Sequence, residues 1–248
     1  MCNAKLLGTS LLISLLVVWQ SFGIDVPPQD TDECNPGQGL LCGLTWDAGD
    51  SPDAIADCTK TILRDDLYGS PVFEANVAGN GMWHLPGGND MVRMKSTSST
   101  FGDYANHDWS MEFWFFTAAR TTGDMLAGLS TASTGARFYL YDAADTNLIQ
   151  FYYGTGSGYV QLQVAHGMQL DKWYHIVGTF SNGTIRAYIN GAVLGSNSGA
   201  AAVDYTGTRW AIGGGNIEGY MSETYRWQRQ LTDAEIKDRY NKGRKAHP

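Results

Sequence analysis

The stretch Asp171–Gly191, DKWYHIVGTFSNGTIRAYING, decides the fold of this chain. Its side chains alternate in character after the first few residues, which is the two-residue period of a β-strand. The two alternating sets are Tyr174, Ile176 and Phe180 on one face and His175, Val177 and Thr179 on the other. The dipeptides Asn182-Gly183 and Asn190-Gly191 supply turns, because Asn and Gly adopt positive φ at little cost. The pattern predicts a meander of three antiparallel strands, and therefore an antiparallel all-β domain.

A run of bulky side chains, MEFWFF at Met111–Phe116, lies upstream of the meander. Apolar residues fall on both faces of this segment, which is typical of a central strand that is covered on both sides. Three more strands are predicted from alternating patterns bounded by turn residues. They are Phe138–Tyr141, Asn147–Tyr153 and Tyr159–Val164.

One helix is predicted near the end of the chain. Thr232 and Glu235 have the spacing of a capping box, in which each side chain accepts a hydrogen bond from the backbone of the other residue. Leu231 and Ile236 flank the box as a hydrophobic staple. We therefore expect a helix from about Asp233 to Asn241.

Three segments of the chain resemble the laminin-G-like, concanavalin A-like jelly-roll superfamily. They are DKWYHIVGTFSNGTIRAYINGAVLGS in the meander, MEFWFF in the central strand, and IEGYMSETYRWQRQLTDAEIKDRYNKG at 217–243. The resemblance implies a two-sheet β-sandwich that covers roughly Leu44–Gly243, within a domain at 44–248. This superfamily includes lectins, polysaccharide hydrolases, carbohydrate-binding modules and adhesion modules, so the fold alone does not choose a function.

The composition is consistent with one domain that does not bind nucleic acid. The chain has 248 residues, 43% of them hydrophobic, which is enough to bury a sizeable core. Its 30 glycines and 12% aromatic residues suit a sheet protein with many turns. The formal net charge of −8 argues against nucleic acid or an anionic membrane as the partner.

The first 23 residues have the pattern of a secretory signal peptide. A polar start with Lys5 is followed by an apolar run at Leu6–Trp19 and by small residues before the predicted cleavage after Gly23. An uncleaved membrane anchor is the alternative. No second apolar run of spanning length follows, so the sequence predicts a secreted protein without a membrane span after cleavage.

The cysteines of the mature chain all precede the recognised strands. Residues 24–43 are rich in Pro, Asp and Gly, which predicts an extended N-terminal arm, either a tether or a disordered terminus. We expect a Cys42–Cys58 disulfide, because Cys34 lies nearest the flexible end. Cys34 is then left for an intermolecular bond or as a free thiol, and the first would allow self-association.

A sugar-binding surface would use aromatic rings flanked by amide and carboxylate groups. Side chains on the solvent-facing side of one predicted sheet would provide them, although aromatic residues in strands are more often packed in a core. The candidate ligand-binding residues are Glu112, Trp114, Tyr139, Tyr141, Tyr152, Gln161 and Gln163. We assign Trp109, Trp173 and Trp227 to packing.

The resemblance also implies a calcium site. Many relatives hold calcium near the opening acidic loop, a Gly-Asn-Asp turn and the closing strand, where carboxylate and carbonyl oxygens are available. The matching positions here are Asp47, Asn89, Asp90 and Glu223. The chain departs from the common pattern at Ser222-Glu223, where relatives have paired Asp, and solvated surface acids are the alternative interpretation.

Catalysis is not predicted. Retaining glycoside hydrolases need two carboxylates about 5 Å apart, and a Glu-x-Asp-x-Glu run is absent. Glu112 is the only acid of its predicted strand, and His175 is expected to be a packed, hydrogen-bonded residue rather than a base. Asn182-Gly183-Thr184 is a glycosylation sequon at an exposed turn.

These features predict a secreted, non-catalytic binding or adhesion module for a glycan or an extracellular glycoprotein, with calcium as a candidate cofactor. The alternatives are a structural subunit of an extracellular assembly, joined through Cys34, and a glycan hydrolase.

Overall fold

The structure is a computed structural model that describes the chain in segments. These are residues 40–45, 56–57, 62–75, 81–88, 90–96, 108–119, 124–129, 137–141, 147–154, 159–199, 209–214 and 217–248. All of them lie in one unit, Asp32–Pro248. The predicted signal peptide, residues 24–39 of the predicted arm with Cys34, and Cys58 lie outside the described residues, so the cleavage and the Cys42–Cys58 disulfide stay predictions. Residues 40–43, the end of the predicted arm, belong to the first strand.

The described residues form sixteen strands and one helix. In chain order they are β1 (Leu40–Thr45), β2 (Ala56–Asp57), β3 (Ile62–Tyr68), β4 (Val72–Ala75), β5 (Gly81–Pro86), β6 (Met91–Ser96), β7 (Trp109–Ala119), β8 (Asp124–Leu129), β9 (Arg137–Tyr141), β10 (Leu148–Gly154), β11 (Tyr159–Ala165), β12 (Trp173–Ser181), β13 (Thr184–Ile189), β14 (Ala192–Ser198), β15 (Arg209–Gly213), β16 (Glu218–Trp227) and α1 (Asp233–Gly243). The predicted all-β class with one short C-terminal helix is confirmed.

The strands form two antiparallel sheets. Sheet 1 has nine strands, with β14-β13-β12-β7-β16-β1-β2 in order, while β5 pairs with both β16 and β4. Sheet 2 has seven strands in the order β11-β10-β9-β8-β15-β6-β3. Neighbours that are distant in sequence, such as β7 and β16, produce the crossovers of a jelly roll.

The meander is formed as the sequence predicts. β12, β13 and β14 pair antiparallel, with Val177 opposite Tyr188. Asn182 and Gly183 have φ values of 46° and 73°, so both occupy the left-handed region that a two-residue hairpin turn requires. Asn182 is exposed at this turn. Its glycosylation stays a prediction.

The main core lies between the two sheets. The inner side of β7 contributes fully buried Met111, Phe113 and Phe115, and sheet 2 contributes Phe151 and Leu162 among others. Burial of each such side chain stabilises the fold by roughly 1.5–3 kcal/mol. The residues predicted for one face of β12, Tyr174, Ile176 and Phe180, belong to this cluster.

A second, smaller core lies on the outer side of sheet 1, under α1. Leu231 and Ile236, the predicted staple, are buried there against Val177, Tyr188, Tyr225 and Trp227. The capping box of Thr232 and Glu235 is present and starts the helix at Asp233, as predicted. Because α1 covers this side, the central strands β7 and β12 are buried on both faces, which explains their apolar character on both sides.

Within the described segments, no helix is long and apolar enough to span a membrane.

Candidate functional site

The predicted ligand-binding residues do not lie on one surface. Glu112 and Trp114 belong to β7 in the middle of sheet 1, whereas the three tyrosines and two glutamines belong to β9, β10 and β11 of sheet 2. The two groups are therefore on opposite layers of the sandwich. The prediction that these seven residues line one sheet face is wrong, because alternation along a strand shows which residues share a side and does not show which sheet the strand joins.

Trp114 is buried, contrary to the prediction that it faces solvent. Its side chain is 2% exposed and stacks on His247, with ring centroids 4.2 Å apart and planes 5° apart. Tyr240 of α1 stacks on it as well, at 5.9 Å. A Cβ on Gly243 would lie only 2.7 Å from the indole ring, so the end of α1 packs directly on Trp114. The helix and tail close over the face that Trp114 shares with Glu112.

Glu112 is also buried, and it is bound from two sides. Arg239 of α1 donates from Nε to Oε2 at 2.5 Å, and His175 Nε2 lies 3.0 Å from Oε1. Burial alone would raise the pKa of Glu112, but the Arg239 charge and the hydrogen bond from His175 outweigh it and lower the pKa to about 2. The carboxylate is therefore ionised and joins α1 to the sheet. His175 is fully buried, as predicted for a packed, hydrogen-bonded histidine.

Arg239 is enclosed by aromatic rings as well as by Glu112. Its guanidinium carbon lies 4.4 Å from the Tyr225 ring centroid and 4.9 Å from that of Trp227. These cation–π contacts supplement the ion pair where water is excluded. The outer face of sheet 1 under α1 thus acts as a docking site for the helix, which is a structural role.

The predicted positions on sheet 2 do fall in neighbouring rows. Gln150 of β10 pairs with Tyr139 of β9 and with Gln163 of β11, which forms one row across three strands. Two residues further along β10, Tyr152 pairs with Gln161. Tyr141 begins a further row on the same strands. The side chains of the three tyrosines are outside the described part, Gln161 is half-buried and Gln163 is exposed. A ligand role for these positions stays a prediction.

Two of the four predicted calcium ligands, Asp90 and Glu223, lie in the described residues. Asp90 lies near the Leu85 end of β5, since a Cβ on Gly213 would contact both Asp90 and Leu85. Leu85 pairs with Gly219 of β16, whereas Glu223 lies four residues further along that strand, in a bulge. Four residues of an extended strand span about 13 Å between their Cα atoms. Because only two of the four positions lie in the described residues, the four-residue calcium site stays a prediction.

Asp90 by itself has an environment that suits an ion ligand. It is 3% exposed, and its Oδ1 accepts a hydrogen bond from the Ser70 amide at 2.5 Å. Its Oδ2 is buried and has no hydrogen-bond partner among the described residues. Asp47 and Asn89 lie outside these residues, and within them no group of three or more His, Cys, Asp or Glu side chains is placed to hold a metal.

A row of rings crosses sheet 1 just beyond the region that α1 covers. Strand pairing places Trp173 of β12 opposite Phe116 of β7, Phe116 opposite Tyr220 of β16, and Tyr220 opposite His84 of β5. We call these four residues the aromatic row. All four side chains are partly exposed, in contrast to the buried Trp114 two residues along β7.

The rings of the aromatic row are in mutual contact. His84 and Tyr220 stack with centroids 4.6 Å apart and planes 19° apart. Phe116 crosses Tyr220 at 69° and Trp173 at 61°, with centroids 5.7 Å and 5.6 Å apart. Trp173 is supported from the tail side by His247, at 4.7 Å. The contacts hold each ring in place while leaving part of it open to solvent.

The sequence patterns do not predict the aromatic row: they indicate packing for Trp173 and no site role for His84, Phe116 or Tyr220. One sequence signal points to the row: Phe116, the last residue of the run MEFWFF, lies on the side of β7 opposite the main core. The pairing of β7 with β16 and of β16 with β5 completes the row. Pairing between distant segments cannot be read from local patterns.

The polar groups beside the row are mostly acidic at one end. His84 Nδ1 lies 3.3 Å from Glu74 Oε1, and these side chains are 27% and 39% exposed. Glu218, two residues before Tyr220, is exposed. At the other end, the exposed Asp171 and Lys172 precede Trp173 and have opposite charges.

A two-sheet jelly roll with a partly exposed aromatic row fits a binding module. Residues 86–237 match the family model Laminin_G_3, described as the concanavalin A-like lectin/glucanases superfamily. The chain belongs to this superfamily, as the resemblance implied. No curated protein sequence matches it.

Solved structures with the same fold include binding domains of botulinum neurotoxins. One is botulinum neurotoxin type C, which depends on two ganglioside molecules to enter cells, with 11% identity, a TM-score of 0.65, and coverage of 82% of this chain and 51% of that chain. Two others are the binding domain of botulinum neurotoxin DC with rat synaptotagmin II and with SialylT, each with 12% identity, a TM-score of 0.65 and the same coverage. The chain spans about half the length of these structures, and at this identity the likeness shows the fold alone.

Proposed function

We propose that this protein is a secreted, non-catalytic module that binds carbohydrate through the aromatic row. The observation that carries the proposal is the row itself, in which Trp173, Phe116, Tyr220 and His84 are held side by side and remain partly exposed. Exposed rings that contact one another across strands are more informative than scattered surface aromatics, since single exposed apolar residues are normal.

The chemistry of the row suits a sugar. The C–H groups of a pyranose face pack on aromatic rings, and its hydroxyl groups need a few polar partners at the edge. Glu74 and His84 provide an acceptor and a ring nitrogen at one end of the row. The matched neurotoxin structures were described with gangliosides and with SialylT, and this chain covers about half of each of them.

A binding role is favoured over hydrolysis by the state of Glu112. A retaining hydrolase needs a second carboxylate about 5 Å from the first and access for the substrate. Glu112 is 2% exposed and already bound by Arg239 and His175. The one acid that the sequence places in the central strand is thus committed to holding α1.

Secretion is proposed from the signal-peptide pattern of Met1–Gly23.

Calcium is proposed as an assisting ion near Asp90, whose buried Oδ2 has no hydrogen-bond partner among the described residues. Calcium would supply positive charge to this carboxylate and order the turn at Ser70. A purified Asp90→Asn variant, measured by thermal melting with and without calcium and chelator, tests the ion: the wild-type melting temperature should rise with calcium and that of the variant should not.

The experiment that tests the function is a glycan array with wild-type protein and Trp173→Ala and Tyr220→Ala variants. Val193→Ala is the matched control, because Val193 is 52% exposed on β14, outside the row. Wild type and the control should bind the same glycans, and both row variants should lose most of that signal. Tyr220→Leu retains apolar bulk at this position, so it separates the loss of the aromatic ring from a loss of folding. An array on which the row variants bind as well as wild type would contradict the proposal.

A further inference from the structure

The aromatic row also has a length, a shape and a charge distribution that restrict its ligand. We propose that the ligand is an uncharged, soluble, linear polysaccharide whose chain runs across the strands and contacts the row with several consecutive sugars. This inference rests on the proposed function, since it names the class of carbohydrate that the same row would bind.

The length of the row is the first argument. Its four rings lie on four neighbouring strands, β5, β16, β7 and β12, so three strand spacings separate the first ring from the last. At about 4.8 Å per spacing the row extends over roughly 14 Å, which exceeds a single sugar ring. A ligand that uses all four rings must therefore be a chain.

The open end of the row beyond His84 is the second argument. Val72 of β4 lies opposite His84 and continues the row, and it is 47% exposed. Among the described strands, β4 pairs with β5 alone, so no described strand stands beyond Val72 to stop a longer ligand. A site for a terminal sugar needs a closed pocket that surrounds the last residue, whereas an open row accepts the internal part of a chain.

The ring orientations are the third argument. Phe116 is crossed by Tyr220 at 69° and by Trp173 at 61°, so the row is not a flat surface. Sugars at the surface of a crystalline polysaccharide present one plane, while successive sugars of a soluble chain can rotate relative to each other. The tilted rings therefore match a soluble chain better than a crystalline surface.

The charges at the His84 end of the row are the fourth argument. Glu74 and Glu218 place carboxylates beside His84 and Tyr220, and the whole chain has a net charge of −8. A uniformly acidic polysaccharide would therefore meet repulsion at the His84 end of the row, and an uncharged chain would not.

The charges at the Trp173 end do not reverse this preference. The exposed Asp171 and Lys172 precede Trp173 and offset each other. The exposed Arg244 and Lys245 add positive charge three and two residues before His247, which contacts the Trp173 ring. This positive charge lies at one end of the row only, so it does not match a ligand that carries a negative charge on every repeat.

The experiment is isothermal titration of the full mature chain with neutral β-glucan and mannan oligomers of increasing length. Sialylated and sulfated glycans, and a crystalline cellulose pull-down, are measured in parallel. Affinity should rise at least tenfold from a disaccharide to a tetrasaccharide, and Tyr220→Ala and Trp173→Ala should each lower the tetrasaccharide affinity about tenfold, or about 1.4 kcal/mol. The Val193→Ala control should bind as wild type does.

The outcomes separate the two proposals. If a monosaccharide or a sialylated terminal glycan binds as tightly as the neutral tetramer, and the row variants lose that binding, this inference is overturned and the proposed function stands. Retention on crystalline cellulose would overturn the soluble-chain part of the inference in the same way. If no glycan of any class binds to the folded protein, both proposals fail.

Discussion

The ion pair between Glu112 and Arg239 makes a quantitative prediction about how α1 is held. Glu112→Gln removes the charge and keeps the shape of the side chain, so Arg239 loses this counter-ion inside its aromatic enclosure. The lowering of the Glu112 pKa from 4.5 to about 2 corresponds to a net preference of about 3 kcal/mol for the ionised carboxylate over the neutral one, after the cost of its burial. Breaking a buried pair from one side costs a similar amount, about 3–5 kcal/mol. We therefore expect Glu112→Gln to lower the free energy of unfolding by about 3 kcal/mol.

The assay is urea unfolding at pH 7, followed by tryptophan fluorescence and circular dichroism. Asp238→Asn is the matched control on the same helix, since the Asp238–Lys242 pair at 3.3 Å is exposed and should contribute at most about 0.5 kcal/mol. Arg239→Met removes the other charge and keeps apolar bulk against Tyr225 and Trp227, so the double variant with Glu112→Gln should lose less stability than the sum of the two single losses. A Glu112→Gln loss no larger than that of Asp238→Asn would refute the reasoning.

Three further predictions concern acid and the packing of the tail. Glu112 and Glu235 both have a pKa lowered to about 2. Their contribution to the free energy of unfolding should therefore be constant above pH 4.5 and be lost as the pH falls towards 2. The loss of stability in acid, measured by urea unfolding, should be smaller in Glu112→Gln than in wild type. Burial lowers the pKa of His247 to about 4, so protonation of this side chain should weaken its stacking on Trp114 as the pH falls from 6.5 to 4. The tryptophan fluorescence should change over this range in wild type and should not change in His247→Phe. Gly243→Ala should lower the melting temperature, because the added Cβ would lie 2.7 Å from the Trp114 ring; an unchanged melting curve would contradict the close packing.

The local patterns predicted the strands and the helix well. The alternation after Asp171, the two Asn-Gly turns and the Thr232 capping box each depend on a few neighbouring residues, and all three are present in the structure. The apolar character of both sides of Met111–Phe116 correctly indicated a central strand. These features could be read because backbone geometry and side-chain period are local properties.

The candidate site could not be predicted in the same way. Glu112 and Trp114 look like surface residues of a strand until α1, more than a hundred residues later, packs over them. The aromatic row is likewise not visible until β5, β16, β7 and β12 pair with one another. Contacts between distant segments decided each case, and these contacts are set by the packing of the whole fold.

The stacking of His247 on Trp114 has a practical consequence for handling the protein. His247 is 4% exposed, so any affinity tag joined after Pro248 would begin one residue from a side chain that is seated in the fold. A tag placed there without a spacer would disturb the stacking of His247 on Trp114, and also its contact with Trp173 of the aromatic row. Purification handles are better attached ahead of the first strand, or behind a spacer of several glycine and serine residues.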